Sequence, residues 1–403
     1  MKISTREVNQ LSNATKSAAS FLLKARDAEG WWKDFYIGRN PCDEWITAYI
    51  AAALAVIPDT QASEAAIASW ELLKTRSRST GGWGFNRLIP EDADTTGWVL
   101  QLAREVGAGD SELAHNARSF IKEHVQPDGG IATYATDKAI RAYLAESVQL
   151  FFQRAREAQL SSPNSSEFVE QFKLFVVKHF QPSLEIPSFI TDEMLQSCLI
   201  TPSRESFHGW CQSHICVSAA IATLPEFRLS LHNYLNITQR HEGNWLCYWW
   251  IDHEYATALA AEALATGNEK KDQICVERAV AWGIRRLSPE GFVSNSMHPE
   301  GSPFATACCL RLLLLNSVNE EVKAARTAAT RWLLQQQNSD GAWSSSAWLR
   351  IPHTHDIDPN QTSGWIYGGM FNGSIIVDQH QVYTTTTVML SLQKALSLIL
   401  TQE

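Results

Sequence analysis

Gly81-Gly82-Trp83-Gly84-Phe85 leads into Glu91-Asp92-Ala93-Asp94-Thr95-Thr96-Gly97-Trp98, and variants of this arrangement recur along the chain. Trp70-Glu71-Leu72-Leu73 precedes it; Ser20-Phe21-Leu22-Leu23 precedes Glu29-Gly30-Trp31-Trp32 in the same way. Further copies end in Gly129-Gly130, Glu242-Gly243-Asn244-Trp245, Glu290-Gly291-Phe292 and Asp340-Gly341-Ala342-Trp343. Taking Gly30, Gly82, Gly130, Gly243, Gly291 and Gly341 as markers, the separations are 52, 48, 113, 48 and 50 residues. A period of about 50 means a repeat architecture. The gap of 113 is near two periods, so a degenerate unit is expected at His179-Phe180-Gln181-Pro182.

Each unit reads helix, Gly-rich turn, helix. The second helices are apolar on nearly every face, as in Ile50-Ala51-Ala52-Ala53-Leu54 and Leu312-Leu313-Leu314-Leu315. Such a helix is buried on both sides, whereas the amphipathic first helices suit an outer layer. The pattern predicts an all-α fold: one closed (α/α) barrel, or toroid, of six to seven helical hairpins with inner and outer rings. Strand signals are few. No linker or low-complexity segment divides residues 1–403, so a single domain is expected; Ser161 to Glu167 reads as a surface loop.

Composition narrows the function. A net charge of −9 argues against nucleic-acid binding, which needs basic patches. The N-terminus lacks a signal-peptide core, and no apolar run reaches the roughly 20 residues of a membrane span. The eight cysteines form no Cys-x-x-Cys pair, and Cys308-Cys309 read as small buried hydrophobes. A reducing cytoplasm is the expected location. Fifteen tryptophans are many. Trp83 and Trp343, directly after the turn, suit staples between repeats; Trp45 and Trp249-Trp250 are better placed to line a cavity.

Carboxylic acid and aromatic faces together suit protonation of an alkene followed by stabilisation of the resulting carbocation, because a ring face attracts a cation without trapping it as readily as a lone pair would. Taken alone, Asp92 and Asp94 would suit an ordinary N-cap and first-turn acid. His253 beside Asp252 reads as a hydrogen-bonded side chain, Thr384-Thr385-Thr386-Thr387 as helix-start chemistry, and His353, His355, Asp356 and Asp358 as an exposed loop more than a metal site.

These repeats resemble the Q-W motifs of squalene–hopene and oxidosqualene cyclases, the class II terpene cyclases. Asp92-Ala93-Asp94-Thr95-Thr96 resembles their Asp-x-Asp-Asp-Thr segment, with Thr95 in place of the third Asp. The resemblance implies that Asp94 is the proton donor, flanked by Asp92 and Thr95. It also implies that Phe85, in Gly-Gly-Trp-Gly-Phe, and Tyr134, in Gly129-Gly130-Ile131-Ala132-Thr133-Tyr134, face early cations. Trp245-Leu246-Cys247-Tyr248-Trp249 with Tyr255-Ala256-Thr257 is similar to a Trp-x-x-x-Trp…Tyr-Gly-Thr segment. This makes Trp249 a cavity residue and sets Tyr255 near the acid, as a hydrogen-bond donor to Asp94 directly or through water. Trp45 matches a cavity Trp, and Phe304, opening another second helix, joins the substrate-binding set. The family's His partner of the catalytic Asp has no clear counterpart; Arg141 and Tyr143 stand near its place.

Hopene and oxidosqualene cyclases carry a second barrel for which this chain has no room. It is more similar to single-domain class II cyclases that convert polyprenylated aromatic acids into merosterolic-acid-type meroterpenoids. That implies a small isoprenoid substrate, no cofactor and no metal, since protonation leaves any diphosphate intact, and contact with a membrane surface. Alternatives are a prenyl diphosphate or squalene-like substrate, or a protein prenyltransferase β-subunit. The last would need zinc bound by Asp, Cys and His, yet His253-Glu254-Tyr255 follows Asp252 with no Cys two places on.

Overall fold

The computed structural model describes residues 5–37, 40–87, 89–138, 140, 206–316, 319–369 and 372–401. Within them lie twelve helices in alternating roles. The outer ones are α1 (Thr5–Lys24), α3 (Thr60–Lys74), α5 (Glu112–Glu123), α7 (Pro225–Thr238), α9 (Lys270–Arg286) and α11 (Glu320–Gln335). The inner ones are α2 (Glu44–Ala55), α4 (Ala93–Glu105), α6 (Ile215–Ala222), α8 (His253–Leu264), α10 (Pro303–Leu313) and α12 (Val382–Thr401). Every residue of α10 is buried, whereas α5 buries only Ala114, Ala117, Phe120 and Ile121, one stripe at helical spacing. Around the inner ring α2 packs on α4, α4 on α6, α6 on α8, α8 on α10, α10 on α12, and α12 returns to α2. Six hairpins therefore close the described ring.

One device builds each hairpin. The chain leaves the outer helix through a glycine with positive φ: Gly30, Gly81, Gly129, Gly243, Gly291 and Gly341. A side chain is excluded there by backbone approach as well as by φ; a Cβ on Gly243 would lie 2.4 Å from the Arg278 carbonyl oxygen. Two residues on, a backbone N–H donates to a hydroxyl on an inner helix. The pairs are Trp32 to Thr47 (3.1 Å), Trp83 to Thr96 (3.0 Å), Ile131 to Ser218 (2.8 Å), Trp245 to Thr257 (3.1 Å), Val293 to Thr306 (2.9 Å) and Trp343 to Thr385 (3.1 Å). Where that residue is Trp, its indole N–H also caps the outer helix, donating to the carbonyl of Leu22, Leu73, Leu235 or Leu333 at 2.7–2.9 Å. Trp83 and Trp343 thus fasten the two helices of their own hairpin, where the sequence suggested staples between repeats.

This frame corrects the sequence reading at three points. The left-handed glycines are Gly81 and Gly129 rather than Gly82 and Gly130, so the register moves by one at two turns. The hydroxyl that anchors Ile131 is Ser218, 87 residues on, so the extra length behind the gap of 113 falls between a turn and its own inner helix. His179 to Pro182, the Ser161 to Glu167 loop, Arg141 and Tyr143 lie outside the described residues. Short strands also punctuate the helices: β1 (Asp34–Ile37) with β2 (Asn40–Cys42), β3 (Trp83–Gly84) with β4 (Glu91–Asp92), and a sheet of β5 (Trp348–Ile351), β6 (Ile366–Tyr367) and β7 (Ser374–Val377) with β7 central. All lie between a turn and its inner helix, where two backbone segments run side by side for too few residues to show alternation in sequence. No helix among the described residues is long and apolar enough to cross a membrane.

Thr306→Val keeps the shape but strands the buried Val293 N–H. Unfolding by urea should show a loss of about 1–3 kcal/mol, the cost of an unsatisfied buried donor; an unchanged midpoint would refute the anchoring role.

Candidate active site

The anchoring hydroxyls define equivalent positions around the ring. Two residues before each of them stand Trp45, Asp94, Cys216, Tyr255, Phe304 and Tyr383. Asp94 thus occupies a place that aromatic rings fill on four of the other five inner helices, and all six lie at helix N-termini.

The rings are in contact. Tyr383 stacks on Trp45 (5.1 Å between centroids), Tyr49 (4.4 Å) and Trp250 (4.9 Å). Trp250 meets Tyr255 at 4.9 Å and Phe304 at 5.3 Å, and Trp45 stacks on Phe85 at 6.4 Å. Phe85 is placed by its own carbonyl, which accepts from Asp43 N–H at 3.3 Å. Trp45, Phe85, Tyr255 and Phe304 are thereby brought into one group. Tyr134 and Trp249 are not part of it. They flank Trp210, at 5.9 and 5.7 Å, in a second group that includes His214 and Tyr248. Tyr383, Tyr49 and Phe35 belong to the first group without having been singled out from sequence. The position two before an anchoring threonine would have identified Tyr383.

The acid pair is asymmetric. Asp92 pairs with Trp83 across β4 and β3 and caps α4, its Oδ1 accepting Thr95 N–H at 2.7 Å and its Oδ2 accepting the Thr95 hydroxyl at 2.8 Å. Burial pushes Asp92 up to about 7 against these bonds. Asp94 is raised well above the usual carboxylate range, first by burial and then by Asp92; the Trp45 indole N–H opposes both. Asp94 is half-buried. Tyr255 makes no direct hydrogen bond to Asp94. The Tyr255 hydroxyl is buried without a well-formed partner and interacts with Tyr383. Asp94 is near enough to raise the Tyr255 hydroxyl further after burial.

Other candidates are settled by their contacts. His253 Nδ1 accepts Cys247 N–H at 3.2 Å, and burial with nearby arginines lowers it to about 4, so it is a neutral structural acceptor. The threonine run is helix-start chemistry: Thr384 Oγ1 accepts Ser346 N–H at 3.0 Å, and Thr386 donates back to Val382 O at 2.6 Å. His353, His355, Asp356 and Asp358 gather into no metal-binding group; none exists among the described residues. Arg350 was not foreseen. It is buried, donating to Asn360 Oδ1 at 2.8 Å and to the Cys247 carbonyl, while its Nε has no partner and no carboxylate pairs with it among the described residues.

Comparison with known proteins agrees with this geometry. Residues 195–350 match the squalene-hopene cyclase C-terminal domain family. The chain is 22% identical over 312 residues to the squalene–hopene cyclase of Zymomonas mobilis, covering 74% of this chain and 43% of that protein. It is 24% identical over 260 residues to drimenyl diphosphate synthase of Streptomyces showdoensis, covering 61% and 44%. It thus spans less than half the length of these curated relatives. Among solved structures, a variant of the type II terpene cyclase MstE from Scytonema, in complex with geranylgeranyl dihydroxybenzoate, is 47% identical with a TM-score of 0.81, covering 98% of this chain and 100% of that one. A variant in complex with the product merosterolic acid A gives 47% and 0.82 over the same shares. A protein from Actinoplanes is 32% identical with a TM-score of 0.77, covering 96% and 99%.

An acid with a raised pKa in the folded state binds its proton more tightly there than in the unfolded chain. Its contribution to stability is fully present below the unfolded value near 3.8 and is lost as pH rises through the folded one. Asp94→Asn should therefore raise Tm at pH 8, with the gain shrinking towards pH 4. A Tm difference that is constant with pH would mean that Asp94 is not held protonated.

Proposed function

We propose that this chain, which belongs to the type II terpene cyclase family, protonates the terminal alkene of a linear polyprenyl chain carried on an aromatic acid and closes it into a polycyclic meroterpenoid. The observation that carries this reading is a carboxyl group raised in pKa at one place of a ring otherwise lined mainly by aromatic faces. The Asp94 carboxyl transfers its proton to the terminal alkene carbon, and its O–H electron pair stays on oxygen. The tertiary cation so formed is attacked by the π electrons of the next alkene, and each ring closure passes the positive charge along the chain. Trp45, Phe85, Tyr255 and Phe304 present ring faces to that charge, each worth about 2 kcal/mol or more in a dry site; Tyr134 faces an early cation, and Trp249 is a further cavity ring. The last cation loses a proton, so substrate and product are isomers. Asp92 and Thr95 tune Asp94 through charge and hydrogen bonds.

The head group is assigned by charge. An ionised head buried without a partner costs several kcal/mol, and so does an unpaired guanidinium. Arg350 has a free Nε, matching the carboxylate of an aromatic acid. Exposed Ile357, Ile366 and Tyr367 lie in the segment that carries Arg350, and this apolar rim suits contact with the membrane in which such an amphiphile partitions. The described cysteines are free, which suits a reducing cytoplasm.

Incubation with geranylgeranyl dihydroxybenzoate should give an isomeric, fully cyclised product by mass and NMR analysis. Asp94→Asn should lower its rate by about 10²–10⁴-fold or more. Activity should survive EDTA; loss on chelation with recovery on adding zinc or magnesium would favour the prenyltransferase or diphosphate alternatives. Near wild-type turnover by Asp94→Asn would remove Asp94 as proton donor.

Arg350→Leu should raise KM for the acid by about 10–100-fold while leaving the methyl ester of the same substrate little affected, as for loss of a charged hydrogen bond. Equal effects on acid and ester would show that Arg350 does not read the head group.

A further inference from the structure

The acid segment and the second aromatic group are joined through one residue. Thr133 lies in the turn after Gly129 and makes three bonds. Its carbonyl accepts the N–H of Ala93, between the two acids, at 3.0 Å. Its hydroxyl accepts the Trp249 indole N–H at 2.7 Å and meets His214 Nδ1 at 2.6 Å. The proton positions along this chain follow from chemistry. His214 Nε2 lies 2.9 Å from the Gly209 carbonyl, which can only accept, so Nε2 carries the hydrogen. Burial keeps His214 neutral, with its pKa lowered to about 3. Nδ1 is then the acceptor, and the Thr133 hydroxyl donates to it. The order runs Trp249 N–H to Thr133 O–H to His214 Nδ1, with His214 Nε2–H closing on the backbone. His214 also stacks on Tyr248 at 3.8 Å and its backbone N–H donates to the Ile131 carbonyl at 2.9 Å, so the acceptor end is held in place.

We infer that Thr133 is a positioning residue that sets the spacing between the acid segment and the Trp249 ring, and so decides which cation along the chain Trp249 can stabilise. The backbone of Thr133 holds the acid segment and its side chain holds the indole. Trp249 is only half-buried, and its single N–H is committed to Thr133. Donation by the indole to a strong acceptor makes the ring face more negative, which strengthens its attraction for a cation. A hydroxyl in this place acts as acceptor and donor at once; a methyl group of the same size can do neither. His214 acts only through Thr133, by fixing the direction of its O–H. The inference rests on the functional reading above and adds a residue that decides how far cyclisation proceeds.

The test compares Thr133→Val and Thr133→Ser with wild type, using geranylgeranyl dihydroxybenzoate as the probe. Thr133→Val should lower the ratio of fully to partly cyclised product by about tenfold, the change that loss of one buried hydrogen bond produces. KM should stay within about twofold, because the ground-state substrate carries no charge for Trp249 to meet. The Trp249 indole ¹⁵N–¹H resonance should lose its hydrogen-bonded shift in Thr133→Val and regain it, with the product ratio, in Thr133→Ser. Should Thr133→Val fail to fold, replacement of Trp249 by the isosteric benzothienylalanine removes only the N–H and should give the same tenfold change. A wild-type product ratio in the Val variant or with the isostere, or no rescue by Ser, overturns the inference while leaving the cyclase reading intact. Wild-type protein that cyclises none of the probe overturns both.

Discussion

A hydroxyl near the start of each inner helix accepts the backbone N–H of the residue two past the turn glycine, and the chamber inherits its geometry from that bond. It fixes where each inner helix begins relative to its turn, and therefore which side chain lies two residues earlier. That side chain is Trp45, Asp94, Cys216, Tyr255, Phe304 or Tyr383. Positive φ at the glycine is needed to aim the N–H, and the Trp indole that follows ties the same turn to the outer helix. The repeat is thus a positioning device. It delivers six side chains to one level, and a single substitution of aromatic by Asp at that level turns a lining into an acid facing that lining.

The same geometry orients charge. Inner helices present their N-termini to the chamber, and each N-terminus carries about half a positive charge, which by itself would repel a carbocation. Asp43, Asp92 and Asp252 stand at the N-cap positions of α2, α4 and α8. Burial raises all three, Asp92 and Asp252 to about 7. At the opposite ends the signs reverse. Arg311 lies in the last turn of α10 and Lys394 on α12, and both hold Glu262. Burial alone would push Glu262 up, yet these cations bring it down to about 2.

What could be read from sequence followed the length of the chain between signals. Where 12 to 15 residues separate the turn residue from its hydroxyl, as for Trp83 and Thr96 or Trp32 and Thr47, the repeat, the inner helix and the ring residue were all legible. Tyr383 was not, because 42 residues carrying the β5–β7–β6 sheet separate Trp343 from Thr385. Cys216 was not, because 87 residues separate Ile131 from Ser218 and because a thiol carries no aromatic signal. Doubled glycines hid a further detail. In Gly81-Gly82 and Gly129-Gly130 either glycine could supply the left-handed φ, and the first of each pair does. Side-chain direction was the least legible. The Tyr255 hydroxyl is buried with no direct bond to Asp94, and the ring of Tyr383, 128 positions away, is among its neighbours.

Thr95 shows how a departure from a family pattern is absorbed. The resemblance placed a third carboxylate at this position, beside two others already buried. A third charge there would have to be desolvated and would repel both neighbours. The Thr95 hydroxyl instead donates to Asp92 Oδ2 while its N–H donates to Oδ1, so both oxygens of the capping carboxylate are satisfied by one residue. These bonds oppose the effect of burial on Asp92 and favour its ionised form. Asp92 is the second cause, after burial, of the raised pKa at Asp94. A neutral side chain thereby satisfies the capping carboxylate without adding a third charge beside the donor.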